Sequence, residues 1–191
     1  MLFRSPNLDR ARAAAVRSDK HGNRAAEIID HIRSLYRKSP AQRELIDVNE
    51  IVHEIFTLLQ GEALRYSIAV RSELTAELPK IKADRVQLQQ VFMNLILNAI
   101  EAMQDEGGEL TVKSQRQDSQ LLLSVGDTGI GLPEGNVDQI FSAFFTTKSQ
   151  GSGMGLAISR SIVESHGGRL WATANEGRGA TFHFTLPTDV T

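Results

Sequence analysis

Residues 84–103 (DRVQLQQVFMNLILNAIEAM) constrain the fold of this chain more than any other stretch. Asp84 can cap a helix by accepting a backbone N–H, and Gln87 follows three residues later, as in a capping box. Apolar residues then recur at the three- and four-residue spacing of an amphipathic helix. They are Val86, Leu88, Val91, Phe92, Leu95, Ile96, Ala99 and Ile100. The stretch therefore predicts a long helix with one broad buried face.

Two asparagines, Asn94 and Asn98, share one face of this predicted helix because they are four residues apart. Asparagine is a mediocre helix former, and its amide is costly to bury without a partner. Neutral carbonyl oxygens also suit a Mg²⁺ ion that keeps several waters and is shared with phosphates. The pair is therefore either two ordinary polar residues beside a buried stripe or part of a metal and phosphate site. The helix alone does not decide between these interpretations.

Composition restricts the class of protein. The chain has 191 residues, 41% hydrophobic and 23% charged, with a net charge of −2, which is ordinary for one globular domain with an appendage. Aromatic residues make up only 6%, so we expect no nucleic-acid partner. The absence of cysteine excludes disulfides and thiolate metal sites. No apolar run approaches the roughly 18 residues of a membrane span, so we expect a cytoplasmic chain, while a membrane segment in a longer parent protein stays open.

The chain divides into two predicted parts. Residues 1–45 are predicted to be helical, with an apolar stripe over 28–36 that requires a partner helix or a second subunit. Residues 46–191 are predicted to form a second domain, opened by a helix that Asn49 caps and that runs to about Arg65.

The second part also predicts a sheet. Strand patterns occur at 67–73, 109–115, 120–126, 169–174 and 181–186, and the second and third form a hairpin. Residues from about 132 to 153 predict a long mobile loop with a short helix near 137–141, and 154–166 predict the last helix. This order of helices and mostly antiparallel strands predicts the α+β class, with one sheet under helices.

Three glycine-bearing clusters follow the asparagine helix. The first, GDTGIG at 126–131, comes directly after a strand, where Asp127 can accept a hydrogen bond from an exocyclic amine such as adenine N6. The second, GSGMGL at 151–156, directly precedes a helix, where consecutive N–H groups can cradle a phosphate. The third, GRGATF at 177–182, leads into the last strand. Each cluster alone is at least as consistent with a simple turn as with a ligand site.

The order of these motifs is more specific than any one of them. Asn94 and Asn98, the three glycine clusters and FSAFFTTK at 141–148 resemble the catalytic, ATP-binding domain of two-component sensor histidine kinases. That family belongs to the GHKL superfamily, with gyrase, the ninety-kilodalton heat-shock chaperones and MutL. The resemblance covers about 47–187 and implies a two-layer α/β sandwich, the GHKL or Bergerat ATP-binding fold, preceded by a long N-terminal helix. Residues 23–35 resemble, less strongly, the second helix of a dimerisation and histidine phosphotransfer hairpin.

The resemblance implies ATP and Mg²⁺ as cofactors. Asn98 would bind the metal, Asn94 would line the phosphate end, and Asp127 would bind the adenine amine. Lys148 would act as a mobile cation beneath a lid spanning about 132–155. The implied nucleotide-binding set is Asn94, Asn98, Asp127, Gly129, Gly131, Lys148, Gly151, Gly153, Met154, Gly155, Leu156 and Thr181, with Asn94 and Lys148 in the catalytic roles.

Asn94 also bears on the reaction. The ATPases of the superfamily and the bacterial anti-sigma serine kinases carry Glu four residues before the metal-binding Asn. An amide cannot take a proton from water at neutral pH. Asn94 therefore favours transfer to an imidazole, which needs little deprotonation.

No histidine of the chain is predicted to be the phosphoacceptor. The family carries that residue on the first helix of the hairpin, and the resemblance begins after that helix. His53-Glu54 mimics the acceptor dipeptide but lies in a predicted helix of the ATP domain, and His166 is interpreted as a cation at a helix C-terminus. His21, His31 and His183 have equally ordinary positions.

The expected function is that of a catalytic fragment of a sensor histidine kinase. It would transfer the γ-phosphate to a histidine helix of the parent or of a partner subunit, for relay to a response regulator receiver domain, and the parent could be a homodimer. The alternative is a non-catalytic nucleotide-binding module that switches a partner interaction.

Overall fold

The computed structural model describes residues 43–133, 135, 137–147 and 151–188. The chain divides into two compact units, one comprising Ala41–Phe145 with Gly153–Thr191 and the other Met1–Pro40 with Thr146–Ser152. The larger unit contains all the helices and strands described below. The predicted N-terminal helix lies outside the described residues and stays a prediction.

The described residues of the larger unit form three α-helices, one short 3₁₀ helix and seven strands. The helices are α1 (Val48–Arg65), α2 (Arg85–Ala102) and α3 (Gly155–Ser165), and the 3₁₀ helix is Val137–Phe141. The strands are β1 (Glu44–Ile46), β2 (Ile68–Leu74), β3 (Ile81–Ala83), β4 (Gly108–Gln117), β5 (Gln120–Asp127), β6 (Leu170–Ala174) and β7 (Ala180–Pro187). The helices, hairpin and short helix predicted for residues 46–191 are therefore confirmed, with shifts of a few residues at their ends.

Five of the strands form one sheet in the order β2-β4-β5-β7-β6. Only the β2–β4 pair is parallel, and the other three pairs are antiparallel. β1 and β3 form a separate antiparallel pair, which the sequence did not predict. This pairing places β1, which spans the boundary predicted between residues 45 and 46, in the larger unit. The predicted α+β class, with helices on a mostly antiparallel sheet, is confirmed.

Helix α2 begins as its sequence predicts. The Oδ1 atom of Asp84 accepts a hydrogen bond from the backbone N–H of Gln87 at 3.1 Å. The predicted apolar face is buried except for Val86, which is 72% exposed because it lies in the first turn, before the helix reaches the core. The buried members are Leu88, Val91, Phe92, Leu95, Ile96, Ala99 and Ile100.

Helix α1 begins earlier than predicted. Its N-cap is Asp47, whose side chain accepts the N–H of Asn49 at 2.9 Å. The prediction of Asn49 as the cap is wrong. Val48 belongs to the buried stripe of the helix, so the N-cap is two residues earlier in the chain than predicted. Asn49 instead ties the helix to the sheet, since its Oδ1 atom accepts the Ser114 hydroxyl at 2.8 Å.

The helices cover one face of the five-stranded sheet. The rings of Phe92 on α2 and Phe184 on β7 meet edge to face, with centroids 5.2 Å apart. Along β5, burial alternates strictly, and Asp127 continues the buried set that begins at Leu121. We call the opposite side the open face; Gly126 and Thr181 lie on it, out of phase with the buried positions. Within the described ranges, no helix combines the length and apolarity needed to cross a membrane.

Candidate functional site

The carboxylate of Asp127 is the most unusual polar group of the core. It ends β5, is only 3% exposed and faces the helices. Its Oδ1 atom accepts the backbone N–H of Gly129 at 2.9 Å, so the loop after the strand turns back onto the carboxylate. The N–H of Ala180, at the start of β7, also donates to this carboxylate. An ionised carboxylate offers about four acceptor positions, so it can accept a further hydrogen bond from a ligand.

Burial sets the electrostatics of Asp127. Desolvation raises the pKa of its carboxyl above the ordinary value, and the N–H groups of Gly129 and Ala180 oppose that shift. A ligand that donates a hydrogen bond to the ionised carboxylate would replace part of its lost solvation. The residue therefore suits recognition of a neutral donor such as an amine on a heterocyclic base.

The turn before β7 packs backbone to backbone against the Asp127 loop. Gly179 has φ of +95°, and a side chain there would overlap the carbonyl oxygen of Asp127. Gly131, in the loop after β5, lies against Gly179: a Cβ built on Gly131 would stand 3.3 Å from the Gly179 carbonyl oxygen. The first and third glycine clusters of the sequence are therefore one structural unit around Asp127.

Asn94 lies between α2 and α3. Its Nδ2 atom donates to the hydroxyl of Ser159, a fully buried residue of α3, at 2.9 Å. Gly155, the first residue of α3, packs so closely on the Asn94 carboxamide that a Cβ there would overlap Oδ1. Asn98 is half-buried on the same side of α2. The asparagine pair and the start of α3 are therefore neighbours.

The start of α3 has the features of a phosphate site. Its N-cap is Met154, whose side chain provides no capping hydrogen bond. The N–H groups of a first helical turn point along the axis and favour an anion. Leu156 follows in the first turn, and Gly153 packs on the backbone of Phe144. The amides of one helix start and the neutral oxygens of Asn94 and Asn98 match a phosphate chain with Mg²⁺.

The structure does not bring every predicted site residue into this arrangement. Thr181 lies on the open face, where its hydroxyl donates to Oδ1 of Asn175 at 2.7 Å, so it does not accompany the Asp127 carboxylate. Gly151 is described but belongs to the smaller unit, and Lys148 lies outside the described residues. Their assigned roles stay predictions.

Sequence reasoning missed three residues near the site. Ala180 supplies a backbone N–H to Asp127, Asn175 holds the carbonyl oxygen of Asp127 at 2.8 Å, and Ser159 accepts from Asn94. The alternation of β7 gave a usable signal for the first, since Ala180 has the same parity as the buried Phe182 and Phe184. The other two depend on contacts between distant segments.

Two of the three described histidines, His166 and His183, make contacts within the fold. Nε2 of His166 accepts the backbone N–H of Asp84 at 3.0 Å, so its ring proton lies on Nδ1 and is donated to the Ile162 carbonyl at 2.8 Å. The interpretation of His166 as a cation at a helix C-terminus is therefore wrong: it is a neutral link between α3 and α2. His183 stacks on Trp171, and burial lowers its pKa. His53 is exposed on α1, and His21 and His31 lie outside the described residues.

Comparison with known proteins identifies the class to which this fold and site belong. The sequence profile of the family described as "Histidine kinase-, DNA gyrase B-, and HSP90-like ATPase" matches residues 83–190, more than half of the chain. The chain therefore belongs to this family and carries a histidine kinase-like ATPase catalytic domain. The predicted resemblance is confirmed at that level.

Its curated relatives are sensor kinases. Sensor protein FixL of Bradyrhizobium diazoefficiens is 38% identical over 184 residues, which cover 95% of this chain and 36% of FixL. Sensor histidine kinase ZraS of Escherichia coli K12 is 32% identical over 188 residues, which cover 98% of this chain and 40% of ZraS. The chain thus spans about two-fifths or less of the length of these relatives.

Solved structures share the fold. The nucleotide-free catalytic domain of histidine kinase ThkA superposes with a TM-score of 0.69 at 35% identity, covering 76% of this chain and 95% of that domain. Full-length ShkA in complex with AMPPNP gives a TM-score of 0.77 at 25% identity, covering 93% of this chain and 38% of ShkA. ThkA in complex with response regulator protein TrrA gives 0.72 at 29% identity, covering 88% of this chain and 49% of that one.

Proposed function

We propose that this chain binds ATP with Mg²⁺ and transfers the γ-phosphate to a histidine on a separate helix, from which a response regulator receiver domain takes it. The observation that carries the proposal is that the loop after the buried Asp127 packs on the end of α2, the helix that carries Asn94 and Asn98. Asn94 in turn contacts the start of α3.

Base recognition is assigned to Asp127. The adenine 6-amino group donates to its carboxylate, which already accepts the N–H of Gly129. A guanine base presents a carbonyl oxygen at that position, and two acceptors facing each other in a buried site repel. The site therefore prefers ATP to GTP.

Phosphate binding is assigned to the start of α3 and to the asparagine pair. The first-turn N–H groups of α3, with Gly153 and Gly155, donate to the phosphate oxygens. The carboxamide oxygen of Asn98 would hold the metal, and bound Mg²⁺ would neutralise charge on the phosphates. Gly151 and Lys148 keep the roles that the resemblance implies, a phosphate-binding glycine and a mobile cation.

Asn94 makes the site a poor catalyst of ATP hydrolysis. Its carboxamide donates to Ser159 and has no basic group with which to remove a proton from water. A neutral imidazole already carries a nucleophilic lone pair, so it attacks without such help. The P–O bond to the β-phosphate breaks, a P–N bond forms, ADP leaves and the imidazole N–H proton passes to solvent.

The acceptor is assigned to another helix because the described histidines are unsuited. Both ring nitrogens of His166 are engaged inside the fold, and His183 is stacked on Trp171. His53 is exposed and serves as the test case. The relay to a receiver domain is supported by the ThkA–TrrA complex, and nucleotide binding by the ShkA–AMPPNP complex.

Incubation with γ-labelled ATP tests the proposal. The chain alone should take up little label and release phosphate slowly. A separate polypeptide carrying a His-Glu helix of the sensor kinase type should become labelled with an acid-labile phosphate, weakly because no tether raises its effective concentration. The His53→Ala variant is the matched control and should behave like the unchanged chain.

Two outcomes would contradict this function. Acid-labile label on the isolated chain that disappears in His53→Ala would make His53 the acceptor. ATP binding without transfer to any acceptor helix would favour the alternative, a nucleotide-binding module that switches a partner interaction.

A further inference from the structure

A chain of hydrogen bonds reaches Asp127 from the open face of the sheet. The Thr181 hydroxyl donates to Oδ1 of Asn175 at 2.7 Å, and Nδ2 of Asn175 donates to the carbonyl oxygen of Asp127 at 2.8 Å. The backbone N–H of Asn175 also donates to the Gly179 carbonyl at 3.2 Å. Asn175 therefore joins three segments: the end of β5 and β7 through its carboxamide, and the turn before β7 through its backbone N–H.

The two sides of Asp127 are held by different groups. Its carboxylate faces the helices and accepts N–H groups of Gly129 and Ala180. Its carbonyl oxygen is held from the opposite side by Asn175. Holding the carbonyl oxygen restrains the peptide plane that begins at Cα of Asp127, and this limits the directions open to its Cα–Cβ bond. The direction in which the carboxylate points is thus set partly by residues outside the nucleotide site.

Gly126 leaves room for the hydrogen bond between Thr181 and Asn175. Gly126 pairs with Thr181 across β5 and β7, and a Cβ at Gly126 would stand only 3.0 Å from the Thr181 hydroxyl. That distance is tighter than ordinary van der Waals contact, so a larger residue would push the hydroxyl away from Asn175. The first glycine of the GDTGIG cluster therefore serves the open face rather than the ligand.

We propose that Asn175 and Thr181 are positioning residues for base recognition, holding Asp127 from behind the sheet. The inference rests on the proposed adenine role of Asp127. Asn175 is suited to this because a carboxamide donates and accepts at once, donating to a carbonyl while accepting from a hydroxyl. Thr181 acts one step further away, by fixing which way the carboxamide of Asn175 points.

Solvent around Asn175 and Thr181 limits how much their substitution can change base discrimination. Asn175 and Thr181 line a cleft of about 250 Å³ on the open face, together with Ser124 and the ion pair of Lys113 with Glu73. Asn175 and Thr181 are only half-buried, so water can replace part of what a substitution removes. We therefore expect Asn175→Ala to change base discrimination about three- to tenfold, as for a single partly exposed hydrogen bond.

The test compares ATP with purine riboside triphosphate, which lacks the 6-amino group. Calorimetric titration gives the affinity for each ligand, and the ratio of the ATP affinity to the analogue affinity measures the contribution of the 6-amino group. Asn175→Ala should lower the ratio about three- to tenfold, and Thr181→Val, of nearly the same shape as threonine, should lower it less. Ser124→Ala removes a hydroxyl from the same cleft but lies outside the hydrogen-bond chain, so its ratio should equal that of the unchanged protein.

A double substitution distinguishes an effect of Asn175 through Asp127 from a general loss of structure. If Asn175 acts through Asp127, adding Asn175→Ala to Asp127→Asn should not lower ATP affinity further. Asn175→Asp keeps the acceptor for Thr181 but puts an oxygen in place of the donor to Asp127, so it should lower the ratio at least as much as Asn175→Ala and serves if the alanine variant fails to fold.

The outcomes are distinguishable. Equal losses of ATP and analogue affinity, leaving the ratio unchanged in Asn175→Ala or Asn175→Asp, would make Asn175 merely structural and overturn the inference. A ratio near one in the unchanged protein would instead overturn the adenine role of Asp127, and the inference with it.

Discussion

Replacing Asp127 by asparagine should weaken nucleotide binding while leaving the free protein at least as stable. The substitution keeps the shape of the side chain and one oxygen, whose two lone pairs can accept the N–H groups of Gly129 and Ala180, but it removes a charge that is only 3% exposed. Charge-assisted hydrogen bonds to such a group contribute about 1.5–3 kcal/mol. Losing the bond from the adenine amine should therefore lower ATP affinity roughly 10- to 100-fold.

The stability effect follows from the raised pKa of Asp127. Because burial is the largest cause, the folded state holds the proton more tightly than the unfolded state. The stability that this carboxyl contributes is therefore present below its unfolded pKa and is lost as pH rises through the raised folded pKa. The asparagine variant has no such proton, so its stability relative to the unchanged protein should increase with pH across that window and stay constant above it.

Two measurements on the same samples test this reasoning. Urea unfolding at a series of pH values from the acid range to neutrality gives the difference in unfolding free energy, and calorimetry gives the affinities for ATP and GTP. An asparagine variant that is clearly less stable at neutral pH would refute the argument from burial. Unchanged ATP affinity, with GTP still rejected, would remove Asp127 from base recognition.

Three further substitutions test other parts of the site. Asn98→Ala should weaken ATP binding in Mg²⁺ more than in EDTA, and equal losses would make Asn98 structural. Gly155→Ala should weaken ATP more than adenosine, because the added Cβ displaces the Asn94 carboxamide at the phosphate end; equal effects on both ligands would contradict this. His166→Leu should reduce the free energy of unfolding by about 1–3 kcal/mol, since the N–H of Asp84 loses its acceptor, whereas unchanged stability would show that the link is unimportant.

The parts of the fold that depend on neighbouring residues could be predicted from the sequence. The start of α2 needed only Asp84 and the Gln87 N–H three residues on, and its buried face needed only helical periodicity. Asp127 was placed at the end of a strand by alternation and the glycines that follow it. These features are fixed by interactions within a few residues along the chain.

The errors arise where a choice between neighbours depends on distant contacts. The resemblance placed Thr181 in the nucleotide-binding set, whereas strand parity gives the buried position to Ala180. Asn49 and Asp47 are both good caps, and the packing of Val48 selects Asp47. The acceptor role of His166 requires a backbone N–H 82 residues away, which no local pattern reveals.

Titration of the unchanged protein with ATP tests the central claim most directly. The account predicts saturable binding of one ATP per chain, stronger with Mg²⁺ than with EDTA, and much weaker binding of GTP at the same concentrations. Asp127 accounts for the base preference, and Asn98 for the metal dependence. Binding that is absent, or that is equal for ATP and GTP and indifferent to Mg²⁺, would contradict it.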